Sequence, residues 1–330
     1  MPVTKGFVQL LIKNIYNEYQ LLLKMYAFNR NELRVFKAIC EGAESTADLA
    51  HALGISTISV YRAVSSLSHS KLVEIRRTGK RIQLSISPHG HSKALCAYLE
   101  GSRRPIEPII GSRLLVLLSV SSNPKALERV AEEVRLSSES VRRIVWALKG
   151  FGAISQEKRV IAVPESDTLL TRFSLDFSKG ACEAMLESIS PTGTVLWNEG
   201  LQFIFSVRSP VKARGVSETG ITAMSKTGLR FMSDTRYYHY AYWRPRLRRE
   251  DKALHQILVD PSSTRNISYG LLFLKKEGHN SAYLARLGDS LGARELTDQI
   301  VDFLRGGTVE NPHFPSKADM AELSAQYGVS

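Results

Sequence analysis

The chain has 330 residues, 43% apolar and 23% charged, a composition that supports buried cores and excludes a mainly disordered or collagen-like chain. At roughly 100–200 residues per domain, two or three domains are expected. Lys and Arg number 44 against 32 Asp and Glu, and the surplus is uneven: residues 1–164 carry 24 basic and 13 acidic side chains, residues 165–330 carry 20 and 19. A domain-sized block with that surplus attracts polyanions through counterion release, so nucleic acid is the leading expected partner.

The segment Gln9 to Phe28 places Leu10, Leu11, Ile15, Tyr19, Leu22, Leu23 and Tyr26 at helical spacing. Lys13, Asn14, Asn17, Glu18 and Lys24 interrupt it, so it lacks the run of about 18 apolar residues of a membrane span, and it has no small-residue cleavage site. No membrane role and a reducing, cytoplasmic setting are expected. Residues 1–28 read as a helix whose stripe is buried either in a homodimer or against the rest of its own chain. Cys40, Cys96 and Cys182 match no metal-ligand spacing and read as buried small hydrophobes.

Ser45 to Leu53 reads as a short helix stopped by Gly54, and Ser56 is placed to cap a second helix in which Val60, Val64 and Leu67 fall at i, i+4, i+7. Thr57, Ser59, Tyr61 and Arg62 lie opposite. Leu72 to Ser87 then alternates apolar and polar residues around Thr78-Gly79-Lys80, a β-hairpin with Arg76, Arg77, Lys80 and Arg81 at its tip. A helix-turn-helix followed by a basic hairpin is the layout of a winged helix: the helix reads groove edges and the wing lies along phosphates. A further helix from Pro88 to about Leu99 carries His89 and His91 near its start, where exposed imidazoles that are solvated or capping, rather than metal ligands, are expected.

Shifted by 81 residues, Leu49 to Val73 aligns without a gap on Val130 to Ile154, with identities including Ser56/Ser137, Ser59/Ser140, Val60/Val141, Arg62/Arg143 and Leu67/Leu148. Ser138, Ser140, Arg142 and Arg143 are the outward residues of the second copy, and Glu139 beside them disfavours close phosphate approach. A shorter hairpin from Ala153 to Val163 has Lys158 and Arg159 near its turn. The organisation expected is residues 29–104 and 105–164 as tandem winged helices, then residues 165–330 as an α+β domain ending in a helical bundle.

Both copies resemble winged-helix transcriptional regulators of the MarR and ArsR type, whose shared run is approximately Ser-x-x-Thr-Val-Ser-Arg-x-Leu-x-x-Leu-x-x-x-Gly-Leu-Val. Here Ser56 to Val73 and Ser137 to Ile154 follow it over about 130 residues of repeat, with Lys71 replacing the glycine in the first copy and Gly152 keeping it in the second. The resemblance implies double-stranded DNA as partner; from the residues, no cofactor and no metal are expected.

In the second half, Phe177 to Ser188 reads as helix, and Thr194 to Trp197 and Leu201 to Val207 as strands. Gly215 to Met224 reads as a further strand, followed by helices over Glu250–Leu258, Ile267–Lys276, Arg294–Leu304 and Lys317–Tyr327. The run Tyr237 to Arg249 interleaves aromatics with arginines, which suits either a nucleic-acid surface or a strand with Tyr238, Tyr240 and Tyr242 on one face. Arg249 to Pro261 with Ser268 to Lys276 resembles the C-terminal region of AbiEi-type antitoxin regulators, which implies a nucleotidyltransferase toxin as protein partner.

Phosphate-binding Gly-Lys-Ser/Thr loops, Rossmann glycines and a nucleophile elbow are not found, and no catalytic residues are assigned. The expectation is a sequence-specific DNA-binding transcriptional regulator, with an antitoxin-type repressor or a winged-helix protein scaffold as the alternatives.

Overall fold

The computed structural model describes residues 26–78, 81–100, 106–164, 168–243 and 246–329; the expected N-terminal helix up to Met25 lies outside these residues. The architecture is mixed α and β with three small antiparallel sheets. The chain divides into two compact units, Met1–Ala181 and Cys182–Ser330.

The first unit contains α1 (Arg30–Cys40), α2 (Thr46–Leu53), α3 (Thr57–His69), the hairpin β1 (Val73–Thr78) and β2 (Arg81–Ile86), and α4 (Gly90–Glu100). The order then recurs with α5 (Ser112–Ser119), β3 (Lys125–Ala126), α6 (Leu127–Val134), α7 (Ser138–Gly150), β4 (Ser155–Glu157) and β5 (Val160–Ala162). The recurrence extends to backbone detail. Gly54 and Arg135, which end α2 and α6, are both left-handed (φ 62° and 55°), as are Lys71 and Gly152 ahead of the two hairpins (φ 55° and 68°). Each pair is 81 residues apart. Lys71 therefore sits where only glycine escapes a steric cost, as Gly152 does in the second copy.

The strand β3 was not expected from sequence; it adds to the second hairpin through Lys125↔Ile161. Lys125 is fully buried there, its Nζ donating to Glu133 Oε2 at 2.9 Å, while Arg129 Nε donates to Glu133 Oε1 at 2.8 Å and Ser119 Oγ to Oε2 at 2.6 Å. Glu133 thus satisfies two cations inside the module, an arrangement that tolerates loss of neither partner.

The imidazole of His91 is not exposed as expected. It is fully buried, with Nε2 2.8 Å from the Ser70 carbonyl oxygen and its ring edge-on to Tyr26 and Phe177. The long helix α8 (Thr168–Ile189) supplies that cover, and its Gly180 lies so close that a Cβ would come within 2.1 Å of the His91 backbone nitrogen. Desolvation, with smaller contributions from the His89 and Lys71 charges, lowers the His91 pKa from 6.5 to about 4. Cys96 and Cys182 are buried, but Cys40 is only half-buried; burial first, and then the Cys96 thiol of α4, push its thiol pKa up.

The second unit holds β6 (Thr194–Glu199), β7 (Gln202–Val207), β8 (Val216–Glu218), α9 (Gly220–Met224), β9 (Arg236–Tyr240), α10 (Arg249–Leu258), α11 (Thr264–Glu277), α12 (Ser281–Leu291), α13 (Arg294–Leu304) and α14 (Lys317–Gln326). Its sheet runs β6-β7-β9-β8. The single strand expected over Gly215–Met224 is instead a three-residue strand and a helical turn, because Gln256 accepts the Ile221 N–H at 2.9 Å and draws the chain out of the ladder. The helix α12 was not expected. Asn280 caps it through the Tyr283 N–H, and Leu284, Leu287 and Leu291 bury its inner face.

Two stability measurements follow. Lys71→Gly relieves a left-handed lysine and should raise unfolding free energy by roughly 1 kcal/mol in urea titrations, whereas Gly152→Lys should lower it. For His91, the unfolded chain takes up a proton below 6.5 while the folded chain resists until about 4. Stability therefore falls as pH drops through that window, by about 3 kcal/mol in full. His91→Gln should flatten the pH profile between those values relative to wild type, and an unchanged slope would contradict the assignment.

Candidate nucleic-acid interface

Helix α3 begins where Ser56, extended at φ −65° and ψ 147°, accepts the Ser59 N–H on its hydroxyl. Burial of Val60, Ala63, Val64 and Leu67 fixes the rotation of the helix. The side chains then turned outward are Thr57, Ile58, Tyr61 and Arg62, with Ile58 65% and Tyr61 48% exposed. Ser56 and Ser59 are engaged with each other, their hydroxyls 2.9 Å apart, and Ser59 is half-buried. Both serines act first as the cap of this helix rather than as free readers.

The hairpin that follows leaves Arg76 and Arg77 exposed. Arg76 reaches Glu74 at 3.2 Å, whereas neither Arg77 nor Arg62 forms an ion pair among the described residues. Lys80 lies outside the described residues; Arg81 is placed as the first residue of β2, with its side chain undescribed. The first module therefore brings Thr57, Tyr61, Arg62, Arg76 and Arg77 onto exposed positions of one helix and one hairpin.

Helix α7 repeats the cap, with Ser137 accepting the Ser140 N–H and the two hydroxyls again 2.9 Å apart. Ser138, Arg142 and Arg143 are exposed, and Ser140 is half-buried. Here the charges are already paired. Glu139 binds Arg142 at 2.5 Å and Arg143 at 3.3 Å, and those two guanidinium groups, Arg143 first, hold its carboxyl below the usual range. In the second hairpin, Arg159 is exposed and 4.0 Å from Glu128, and Lys158 occupies the turn at φ 54°.

On α3 and α7, two exposed apolar residues escaped the sequence reading. Ile58 follows Thr57 on the open face of α3, and Trp146, 79% exposed, lies one turn beyond Arg142 on α7. Neither belongs to the buried i, i+4, i+7 seam, Ile58 lying two positions before Val60 and Trp146 one after Val145, which is the signal that could have found them. The aromatic-arginine run goes the other way. Tyr238 stacks on Phe205 and Tyr240 on Phe203 within the sheet, and Arg248 lies 4.5 Å over the Tyr283 ring. Arg249 pairs with Glu250 at 3.3 Å, so these groups serve packing.

Among the described residues, no group of three or more His, Cys, Asp or Glu side chains could hold a metal ion, and no helix is long and apolar enough to cross a membrane. A family model described as HVO_2833_C, C-terminal, matches residues 213–329. No curated protein and no solved structure matches the chain.

Proposed function

We propose that the chain is a sequence-specific DNA-binding transcriptional regulator, in which residues 29–104 and 105–164 act as tandem winged helices. The observation that carries this reading is the open face of α3: Thr57, Tyr61 and Arg62, which has no ion pair among the described residues, adjoining a hairpin with Arg76 and Arg77 exposed. An α-helix with an arginine at that position can enter a major groove and donate two hydrogen bonds to a guanine edge, while hairpin arginines hold phosphates. The first module is the principal reader, and Ser138, Arg142, Arg143, Lys158 and Arg159 of the second supply weaker contacts. Double-stranded DNA is the partner, and cytoplasmic location goes with the role.

A second reading, that one module contacts protein, is favoured for α7 by Trp146 and by the mutual pairing of Glu139 with both arginines. A nucleotidyltransferase-type toxin or a second copy of the chain would be such a partner.

Duplex titration as a function of salt tests the first reading. With about six phosphates neutralised, affinity should fall roughly a thousandfold between 50 and 200 mM salt. Arg62→Ala with Arg77→Ala should weaken binding by about tenfold or more and reduce the salt slope. A flat salt response, or a double variant binding as tightly as wild type, removes the basis of the proposal. Glu139→Gln releases Arg142 and Arg143 and should strengthen duplex binding if α7 also faces DNA; unchanged affinity assigns that helix to protein contact. Genome-wide footprinting of the tagged chain locates the target sites.

A further inference from the structure

The chain between β7 and β8 passes over the face of the sheet on which Tyr238 stacks against Phe205, ring centroids 5.5 Å apart. Between this segment and the strands lies an open cleft of about 480 Å³ whose lining includes Val211, Lys212, Arg214, Val216, Glu218 and Tyr238. A volume of that size falls in the range of small-molecule sites, roughly 300–1,000 Å³.

The polar groups around it are mainly donors. Tyr238 is only 2% exposed, and its hydroxyl oxygen accepts the Val211 N–H at 3.2 Å. That leaves the phenolic proton without an acceptor among the described residues, at the wall of the cleft. A buried hydroxyl proton is a donor awaiting a partner. Lys212 and Arg214 are exposed on the covering segment and bring a point charge and a planar fork of N–H groups to the same space. The carboxylate in the lining, Glu218, is ion-paired with Lys226 outside it.

We propose that this cleft binds a phosphorylated small molecule through Lys212, Arg214 and the Tyr238 hydroxyl. The donors come from two different elements, the covering segment and the strand beneath it. A tetrahedral phosphate presents acceptor oxygens in several directions at once, whereas a planar carboxylate presents them in one plane. Val211 and Val216 give an apolar wall for the carbon portion of the ligand. The site stands independently of the duplex reading, since none of its residues belongs to α3, α7 or their hairpins.

Calorimetric titration of the full chain with inorganic pyrophosphate and with adenosine diphosphate tests it, with citrate and a short oligothymidylate as comparators. Saturable binding of at least one of the two phosphate probes is expected. Lys212→Gln with Arg214→Gln, both on an exposed segment, should weaken it by roughly tenfold or more, given the strength of charge-assisted hydrogen bonds. Tyr238→Phe keeps the stacked ring, removes the proton and should weaken binding severalfold, while Arg62→Ala with Arg77→Ala should leave it unchanged. The proposal is overturned by absence of saturable binding at millimolar probe, by undiminished affinity in the Lys212/Arg214 double variant, or by citrate binding as tightly as pyrophosphate. Binding of the oligonucleotide alone would likewise overturn it, assigning the cations to a nucleic-acid strand.

Discussion

The face that α3 offers to solvent is decided by the three side chains it cannot release. Val60, Val64 and Leu67 are 2% exposed or less, and each contributes roughly 1.5–3 kcal/mol by leaving water. Turning the helix by one residue, about 100°, would carry that seam out of the core and Tyr61 toward it. No hydrogen bond made by Arg62 in water compares with that loss. The outward placement of Thr57, Tyr61 and Arg62 is thus a consequence of the interior, and it would hold whatever those side chains were used for.

The second module tests the same logic. Val141, Val145 and Leu148 occupy the corresponding seam, the cap is reproduced to the hydroxyl pair, and the left-handed residues recur at the same offset. The outward positions are where the two copies part: Ile58 becomes Glu139, Tyr61 becomes Arg142, Ser65 becomes Trp146, while Arg62 persists as Arg143. Exposed positions tolerate replacement at little cost in stability, so a duplicated module keeps its frame while its faces diverge. A helix bearing Glu139 and Trp146 is a different surface from one bearing Ile58 and Ser65, even on an identical framework.

What could be read from sequence was local. Caps, apolar spacing and glycine turns act within a few residues, which is why α2, α3, α7, both hairpins and most of the later helices were anticipated. What escaped depended on contacts distant in sequence. Lys125 and Arg129 count as basic residues in any tally, yet Glu133 holds both, Lys125 with no exposure at all. His91 looked solvated because the helix that covers it, with Phe177 and Gly180, lies nearly ninety residues on. Cys40 and Cys96 belong to separate helices, so their spacing carried no hint that one thiol raises the pKa of the other. The candidate interface was legible in its outward residues, but its ion pairing was legible only at Glu139, and the cleft beside Tyr238 was not legible at all.

The cations of the first half are therefore unevenly available at the surface, although each pairing engages a carboxylate along with its cation and leaves the surplus as the sequence has it. Lys125 is sequestered, Arg142 and Arg143 share Glu139, and Arg76 has Glu74, whereas Arg62 and Arg77 carry no ion pair among the described residues. Exposed ion pairs contribute little to stability, so a phosphate can displace the carboxylate from a guanidinium at small cost. The displaced carboxylate nevertheless stays within a Debye length of about 8–10 Å and repels the incoming backbone. Pairing thus grades the arginines rather than abolishing them: Arg62 and Arg77 meet a polyanion without opposition, and those of α7 meet it against Glu139. In the proposed duplex reading, that gradient makes the first module the one that sets affinity.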